Sequence, residues 1–207
     1  MKRFAIIAMA WLGTVLATAP RAQAADTDCT TTYSTLQTVT GNLNVPDNAT
    51  CILAAGASVT GNVTVGHGAA LLIEGGTIAG NVQGNNCGAV ILVLVTASKN
   101  VQVGNCRGTA DYPYGVIVAI SAIGGDFQCH NNIAAQLPCA LYLSQVHGNA
   151  QIMNNGSSSS GASWVAGNTI SKNLECQNNN AAPTNLGIPN TVNGNPNQNS
   201  EGQCKGF

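Results

Sequence analysis

Apolar and polar positions alternate in short bursts along this chain, and the bursts return at a steady interval. Each opens on Gly-Asn or a close variant and runs apolar, polar, apolar. The copies are Gly41-Asn42-Leu43-Asn44-Val45, Gly61-Asn62-Val63-Thr64-Val65, Gly80-Asn81-Val82-Gln83-Gly84 and Lys99-Asn100-Val101-Gln102-Val103. Gly125-Asp126-Phe127-Gln128-Cys129, Gly148-Asn149-Ala150-Gln151-Ile152 and Lys172-Asn173-Leu174-Glu175-Cys176 follow. The Asn or Asp positions are separated by 20, 19, 19, 26, 23 and 24 residues, and a weaker Gly194-Asn195 stands 22 further on. Three places before each Asn or Asp lie Val39, Val59, Ile78, Ala97, Ile123, Val146 and Ile170, all apolar. Three places after is apolar too, except at Gly84.

Apolar residues two apart with a polar one between are the period of a half-buried strand. Gly-Asn before the strand reads as turn chemistry, because both residues tolerate left-handed backbone angles. A repeat near 20 residues built from short strands and turns is a solenoid. The Leu-x-x-Leu-x-Leu spacing of leucine-rich repeats is missing. The prediction is therefore an all-β, single-domain parallel β-helix, right-handed, of seven to eight coils, with aliphatic columns inside. The column of Asn42, Asn62, Asn81 and Asn100 is expected to form a hydrogen-bonded ladder. Residues 25–40 read as an N-terminal cap, 41–180 as the β-helix and 181–207 as a C-terminal capping tail. Pro196 sits where an eighth strand would start, and proline removes a ladder donor, so the rungs are expected to stop there.

The first residues change the picture of the compartment. Lys2 and Arg3 precede an apolar stretch over 4–16, and Ala22-Gln23-Ala24 supplies a small-x-small cleavage site. Residues 1–24 thus read as a secretory signal peptide, with no membrane span after cleavage. The full chain has 7 basic and 8 acidic residues. Losing Lys2, Arg3 and Arg21 leaves four basic against eight acidic, a formal net charge of −4. Four scattered cations make no basic stripe, so nucleic acid is excluded as a partner.

Export also favours disulfides among the 8 cysteines. Cys87 and Cys106 both lie six residues after their Asn, so they should stack on adjacent coils within bonding reach. Cys129 and Cys176 match each other, but Ile152 occupies that column between them. Their local alternatives are Cys129–Cys139 and Cys176–Cys204, and Cys29–Cys51 would pin the N-terminal end. No Cys-x-x-Cys pair exists and the histidines stand apart, so neither a metal nor another cofactor is expected.

The chain points away from an enzyme. Glycoside hydrolysis needs two facing carboxylates, and on the repeat register no two acids share a column on adjacent coils. No Gly-x-Ser-x-Gly elbow is present. The three longest coils all gain their extra residues after the motif, in 105–115, 130–139 and 154–162. Insertions on one side of a solenoid often build a binding face. Arg107, Asp111, Tyr112, Tyr114 and His130 are the candidate ligand-binding residues there, for a glycan or a protein partner. His67 and His147 read as solvated turn residues, and Trp164 as packing. The run Val90-Ile91-Leu92-Val93-Leu94-Val95 lacks alternation, which implies cover on both faces, by the N-terminal arm, the tail or another subunit in a weak homodimer contact. Threonines do not read as a Thr-x-Thr column across the rungs, which weakens an ice-binding surface.

The Gly-Asn-Val-x-Val rungs over residues 41–103 resemble those of bactofilins, the polymer-forming β-helical cytoskeletal proteins of bacteria. That resemblance implies a β-helix and self-assembly, although the signal peptide, the cysteines and the longer coils depart from it. The whole pattern, with Asn173-Leu174-Glu175-Cys176 and a later Gly202-Gln203-Cys204, looks like secreted bacterial β-helix proteins. Three functions follow as expectations: a non-catalytic secreted scaffold or surface protein, a carbohydrate-active lyase or hydrolase, and a self-assembling structural element.

Overall fold

The computed structural model describes residues 26–33, 38–194 and 200–207. The segment read as a signal peptide, and Pro196, lie outside the described residues. Within them the chain is a parallel β-solenoid with a three-sided cross-section and no helix. Face one carries nine strands, one per coil: Thr27–Asp28, Leu43–Val45, Val63–Val65, Val82–Asn85, Val101–Gly104, Phe127–His130, Ala150–Met153, Leu174–Gln177 and Ser200–Gly202. The second sheet bends at a corner and makes faces two and three. Ala70–Ile78 and Ala89–Ala97 each run across that bend as one strand. In other coils it breaks into pairs such as Thr50–Leu53 with Ala57–Val59 and Tyr114–Ala119 with Ala122–Ile123.

The motif register is the observed register. Leu43, Val63, Val82, Val101, Phe127, Ala150 and Leu174 pair from rung to rung on face one. All seven are fully buried. A second inward column runs Val45, Val65, Gly84, Val103, Cys129, Ile152, Cys176. Gly84 breaks the apolar series for a reason of space: a Cβ there would stand 3.3 Å from Cys87 Sγ and 3.5 Å from Val103. The missing side chain makes room for the Cys87–Cys106 disulfide beside it.

The disulfides are the Cys87–Cys106 pair that the register gives and the three further pairs offered as alternatives. The bonds are Cys29–Cys51, Cys87–Cys106, Cys129–Cys139 and Cys176–Cys204, with Cα–Cα distances of 5.4, 4.4, 6.5 and 5.2 Å, and no cysteine is left free. Such a complement suits an oxidising, extracellular-type compartment.

The glycine of the Gly-Asn phrase has a different task from the one expected. Among the glycines at this position only Gly41 has a positive φ, 101°. The others are needed for close approach. A Cβ on Gly61, Gly80, Gly125 or Gly148 would strike the Asn or Asp side chain of the coil before. That side-chain oxygen accepts the backbone N–H of the next Asn or Asp, as at Asn62 to Asn42, 2.8 Å, and Asn149 to Asp126, 2.7 Å. Where Lys99 and Lys172 replace glycine, the bonds lengthen to 3.2 and 3.3 Å. The ladder is real, and its tightness depends on an absent Cβ.

Two further ladders run inside the other corners. At the corner between faces one and two, the Asn132 N–H donates to Asn155, Asn155 to Asn179 and Asn179 to Gln203. This column begins as the Cys87–Cys106 bond, since the Cys106 N–H donates to Asn132. At the corner between faces two and three, Val95 donates to Ser121, Ser121 to Ser144, Ser144 to Asn168 and Asn168 to Asn190. Buried turn donors need such partners, because leaving one unpaired costs about 1–3 kcal/mol.

Both chain ends are more regular than the sequence indicated. Thr27–Asp28, Thr32–Tyr33 and Thr38–Val39 pair with Leu43–Asn44, Ile52–Leu53 and Ser58–Val59, so the segment read as a cap forms a coil of its own. At the other end the rungs continue past the point where they were expected to stop. Thr191–Val192 pairs on face three, and Ser200–Gly202 adds a face-one strand against Leu174–Cys176. Proline bars a ladder donor at its own position only, and pairing resumes beyond it.

Candidate functional site

The extra residues of the long coils do lie on one side. The links from face one to face two are 46–49, 66–69 and 86–88 in short coils, against 105–113, 131–136 and 154–163 in long ones. The candidate residues on this corner are not brought together into one cavity. Arg107 and Asp111 are exposed, and Tyr112 and Tyr114 are half-buried. Tyr112 closes a local turn, taking the Thr109 N–H on its carbonyl at 2.7 Å and donating its own N–H to Thr109 Oγ1 at 3.0 Å. Tyr114 pairs in register with Leu137 at the start of a face-two strand. His67 and His147 are exposed.

His130 is different. It ends the face-one strand Phe127–His130, and its ring lies over Gly104 on the preceding coil, where a Cβ would collide with it. The ring closes one side of an open groove of about 630 Å³ on face one, lined also by Thr64, Gln83, Asn85, Gln102 and Asn105. The groove belongs to a longer polar surface. The outward column between the two buried ones reads Asn44, Thr64, Gln83, Gln102, Gln128, Gln151, Glu175, Glu201.

These amides are ordered by one another. Gln83 donates to Gln102 at 3.4 Å, Gln102 to Gln128 at 3.2 Å and Gln151 to Glu175 at 3.0 Å. Asn105 donates to Asn85 at 2.6 Å beside the groove. Each primary amide has two N–H donors and two lone pairs, so one bond to a neighbour leaves capacity facing solvent. The middle of this outward column carries no charge. Along the Asn-ladder edge Asp26 accepts from Asn42 at 2.9 Å, and Asp126 and Lys99 stand at mid-rod. The column's own carboxylates are at its ends, where Asp28 accepts from Asn44 at 2.7 Å, and at Glu175 and Glu201.

That last pair corrects the acid map. Glu175 and Glu201 are register partners on adjacent coils and line a groove of about 310 Å³ with Asn149, Gln151 and Asn173. Glu201 falls in the segment that the sequence reads as a capping tail, so the repeat register alone does not pair it with Glu175. Gln151 and Gln177 both donate to Glu175, at 3.0 and 2.6 Å. Among the described residues no group of three or more His, Cys, Asp or Glu could hold a metal ion.

The other two faces differ in chemistry. The outward column on face three is Thr38, Ser58, Thr77 and Thr96, then Ala122 and Gln145, then Thr169 and Thr191. Hydroxyls thus recur more than the sequence indicated, although two central rungs interrupt them. The Val90-to-Val95 run alternates after all: Val90, Leu92 and Val95 are buried, Ile91 and Val93 half-buried and Leu94 exposed. No described segment covers it. Trp164, read from the sequence as core or loop packing, is 40% exposed on the same side.

Searches with protein-family models, curated proteins and solved structures found no match to this chain. The residues themselves therefore carry the functional reading.

Proposed function

We propose that this protein is a non-catalytic, secreted β-helix that binds an extended neutral glycan along face one. The observation that carries the reading is the hydrogen-bonded column Gln83, Gln102, Gln128 with its groove and the His130 ring at the edge. Evenly spaced amides, about 4.8 Å apart, suit a polymer with its own repeat. Because they are already held by their neighbours, little side-chain freedom is lost on binding. Hydroxyls can meet both donors and acceptors, while an outward column without cations and with carboxylates at its ends disfavours an acidic polymer. The imidazole face offers an apolar plane for a sugar ring. Secretion belongs to this proposal, supported by the sequence of residues 1–24 and by the four disulfides. Binding moves from the loop residues Arg107, Asp111, Tyr112 and Tyr114 to the sheet, and keeps His130.

Affinity electrophoresis in gels containing soluble xylan, mannan, mixed-linkage glucan or polygalacturonate tests it. Retardation is expected in a neutral gel and not with polygalacturonate. Gln83→Ala/Gln102→Ala should weaken binding about tenfold, the effect of losing two hydrogen bonds of about 0.5–1.5 kcal/mol each. Equal retardation of the variant, or none of the wild type in any neutral gel, sinks the proposal.

A second reading rests on Glu175 and Glu201. Neighbouring strands about 4.8 Å apart approach the roughly 5–5.5 Å carboxyl separation of retaining glycosidases. Reducing-end release from the same glycans, abolished by Glu175→Gln and by Glu201→Gln, would establish it. No release by the wild type removes it.

A further inference from the structure

The corner between faces two and three holds an anomaly that the glycan reading does not use. The backbone there takes a left-handed residue on six successive coils. Glycine fills the position at Gly56, Gly75 and Gly167, with φ of 83°, 72° and 67°. Between them the same column carries Leu94, Ile120 and Leu143, with φ of 57°, 50° and 48°. Bulky and β-branched residues strongly disfavour this conformation. At the corner between faces one and two, by contrast, the left-handed non-glycine residues are all asparagine: Asn48, Asn86, Asn105, Asn131, Asn154 and Asn178. Outside the ridge column only Leu186, φ 53°, among the described residues is an aliphatic in this conformation.

The three aliphatic side chains are also unusually wet, at 59%, 51% and 43% exposed. Leu143 and Ile188 meet over Gly167, where an added Cβ would touch both, so the ridge extends one coil further. Backbone strain and exposed apolar surface thus coincide at the same residues, while glycine serves this corner on neighbouring coils and asparagine serves the corner between faces one and two. Contact with something outside the chain accounts for both.

We propose that the ridge is the seam of a two-fold homodimer. Leu94, Ile120 and Leu143 stand beside a shallow groove of about 280 Å³ floored by Thr96, Ala122 and Gln145. A ridge next to its own groove is self-complementary under a two-fold axis: the ridge of each copy fills the groove of the other. The apolar outer face two, with Ile91, Val93 and Ile117, continues the contact. Two copies of an acidic chain can close here because Glu74 is the one charge on these outward columns. Five rung spacings of about 4.8 Å by five residues of about 3.3 Å give a footprint of roughly 400 Å² per copy. That is the size of a weak interface, below the roughly 800 Å² of a standard one. The seam lies opposite face one, so the dimer turns two amide faces outward and binds a polymer twice, with the gain in avidity that follows.

Sedimentation velocity on the purified full-chain protein across a concentration series tests the seam. The wild type should shift reversibly from one to two chains. Leu94→Asn/Ile120→Asn/Leu143→Asn should raise the dissociation constant at least about tenfold. Asparagine accepts the left-handed backbone, so the melting temperature should hold or rise and unfolding cannot explain the loss. A wild type that stays monomeric, a variant that dimerises as before, or growth beyond two chains overturns the proposal.

Discussion

At the scale of single residues, three polar ladders hold this protein's corners, and they differ in what surrounds them. The Asn42 ladder is exposed or half-buried, so water replaces lost partners cheaply. Asn155 is 1% exposed, accepts from Asn132 and donates to the Cys129 carbonyl at 2.9 Å. Asn155→Ala should cost about 2–4 kcal/mol in urea unfolding, since it leaves a buried donor and a buried acceptor unpaired. Asn62→Ala should cost about 1 kcal/mol or less by the same measurement. Equal losses at the two sites would mean that burial does not set the worth of a ladder. Glycine matters here through its missing Cβ. Gly148→Ala should destabilise by about 1–3 kcal/mol, the range for overpacking, because Asp126 and the Gly125 carbonyl fill that space.

At the scale of elements, the coils are held as columns, and a column tolerates uneven members when neighbours compensate. Phe127, fully buried, stands between Val101 and Ala150 in the face-one register, with the large side chain beside the small one. Phe127→Ala would put two alanines together and open a cavity, at about 3–5 kcal/mol in urea unfolding. Phe127→Ala/Ala150→Phe keeps the volume and should recover part of that loss. No recovery would show that the column has no room for exchange between rungs. The columns were readable in the sequence because strand periodicity and solenoid repeat fix the same positions. Asn132, Asn155 and Asn179 stand six residues after the motif Asn or Asp, in the register of Cys87 and Cys106, so that ladder was legible in the spacing. The other interior ladder was not, because Ser121, Ser144 and Asn168 vary in type. Only stacking shows that each meets the next.

At the scale of the whole molecule, the disulfides hold both ends of the rod. Cys29–Cys51 ties the first coil to the second, and Cys176–Cys204 ties down the last described strand, Ser200–Gly202. Stability in a solenoid is a sum over rungs and their interfaces, so end coils open first. A Cys176→Ala/Cys204→Ala variant should lose about 3–4 kcal/mol, the chain-entropy value for a loop of this length. Hydrogen exchange should show the loss confined to the C-terminal coils; uniform loss would show that the rod opens as one unit. The bond also orients Glu201 beside Glu175, so the same variant should disturb the C-terminal groove and leave the Gln83–Gln102 groove intact.

The sequence by itself determined the solenoid, its register and the disulfide partners. The solenoid and its register follow from a motif that returns on every coil, and the Cys87–Cys106 pair from equal positions after that motif, while the other three pairs follow from cysteines standing close along the remaining chain. The tertiary structure decided which outward surface is chemically distinct. The amide face and the acid pair arise from side chains about 20–26 residues apart that meet only once the rungs are stacked. The aliphatic ridge needs more still, since a leucine in the sequence shows neither its backbone angle nor its exposure. Ser200–Gly202 became a rung for the same reason. Pairing depends on the strand it finds beside it, and local residues such as proline limit it only where they stand.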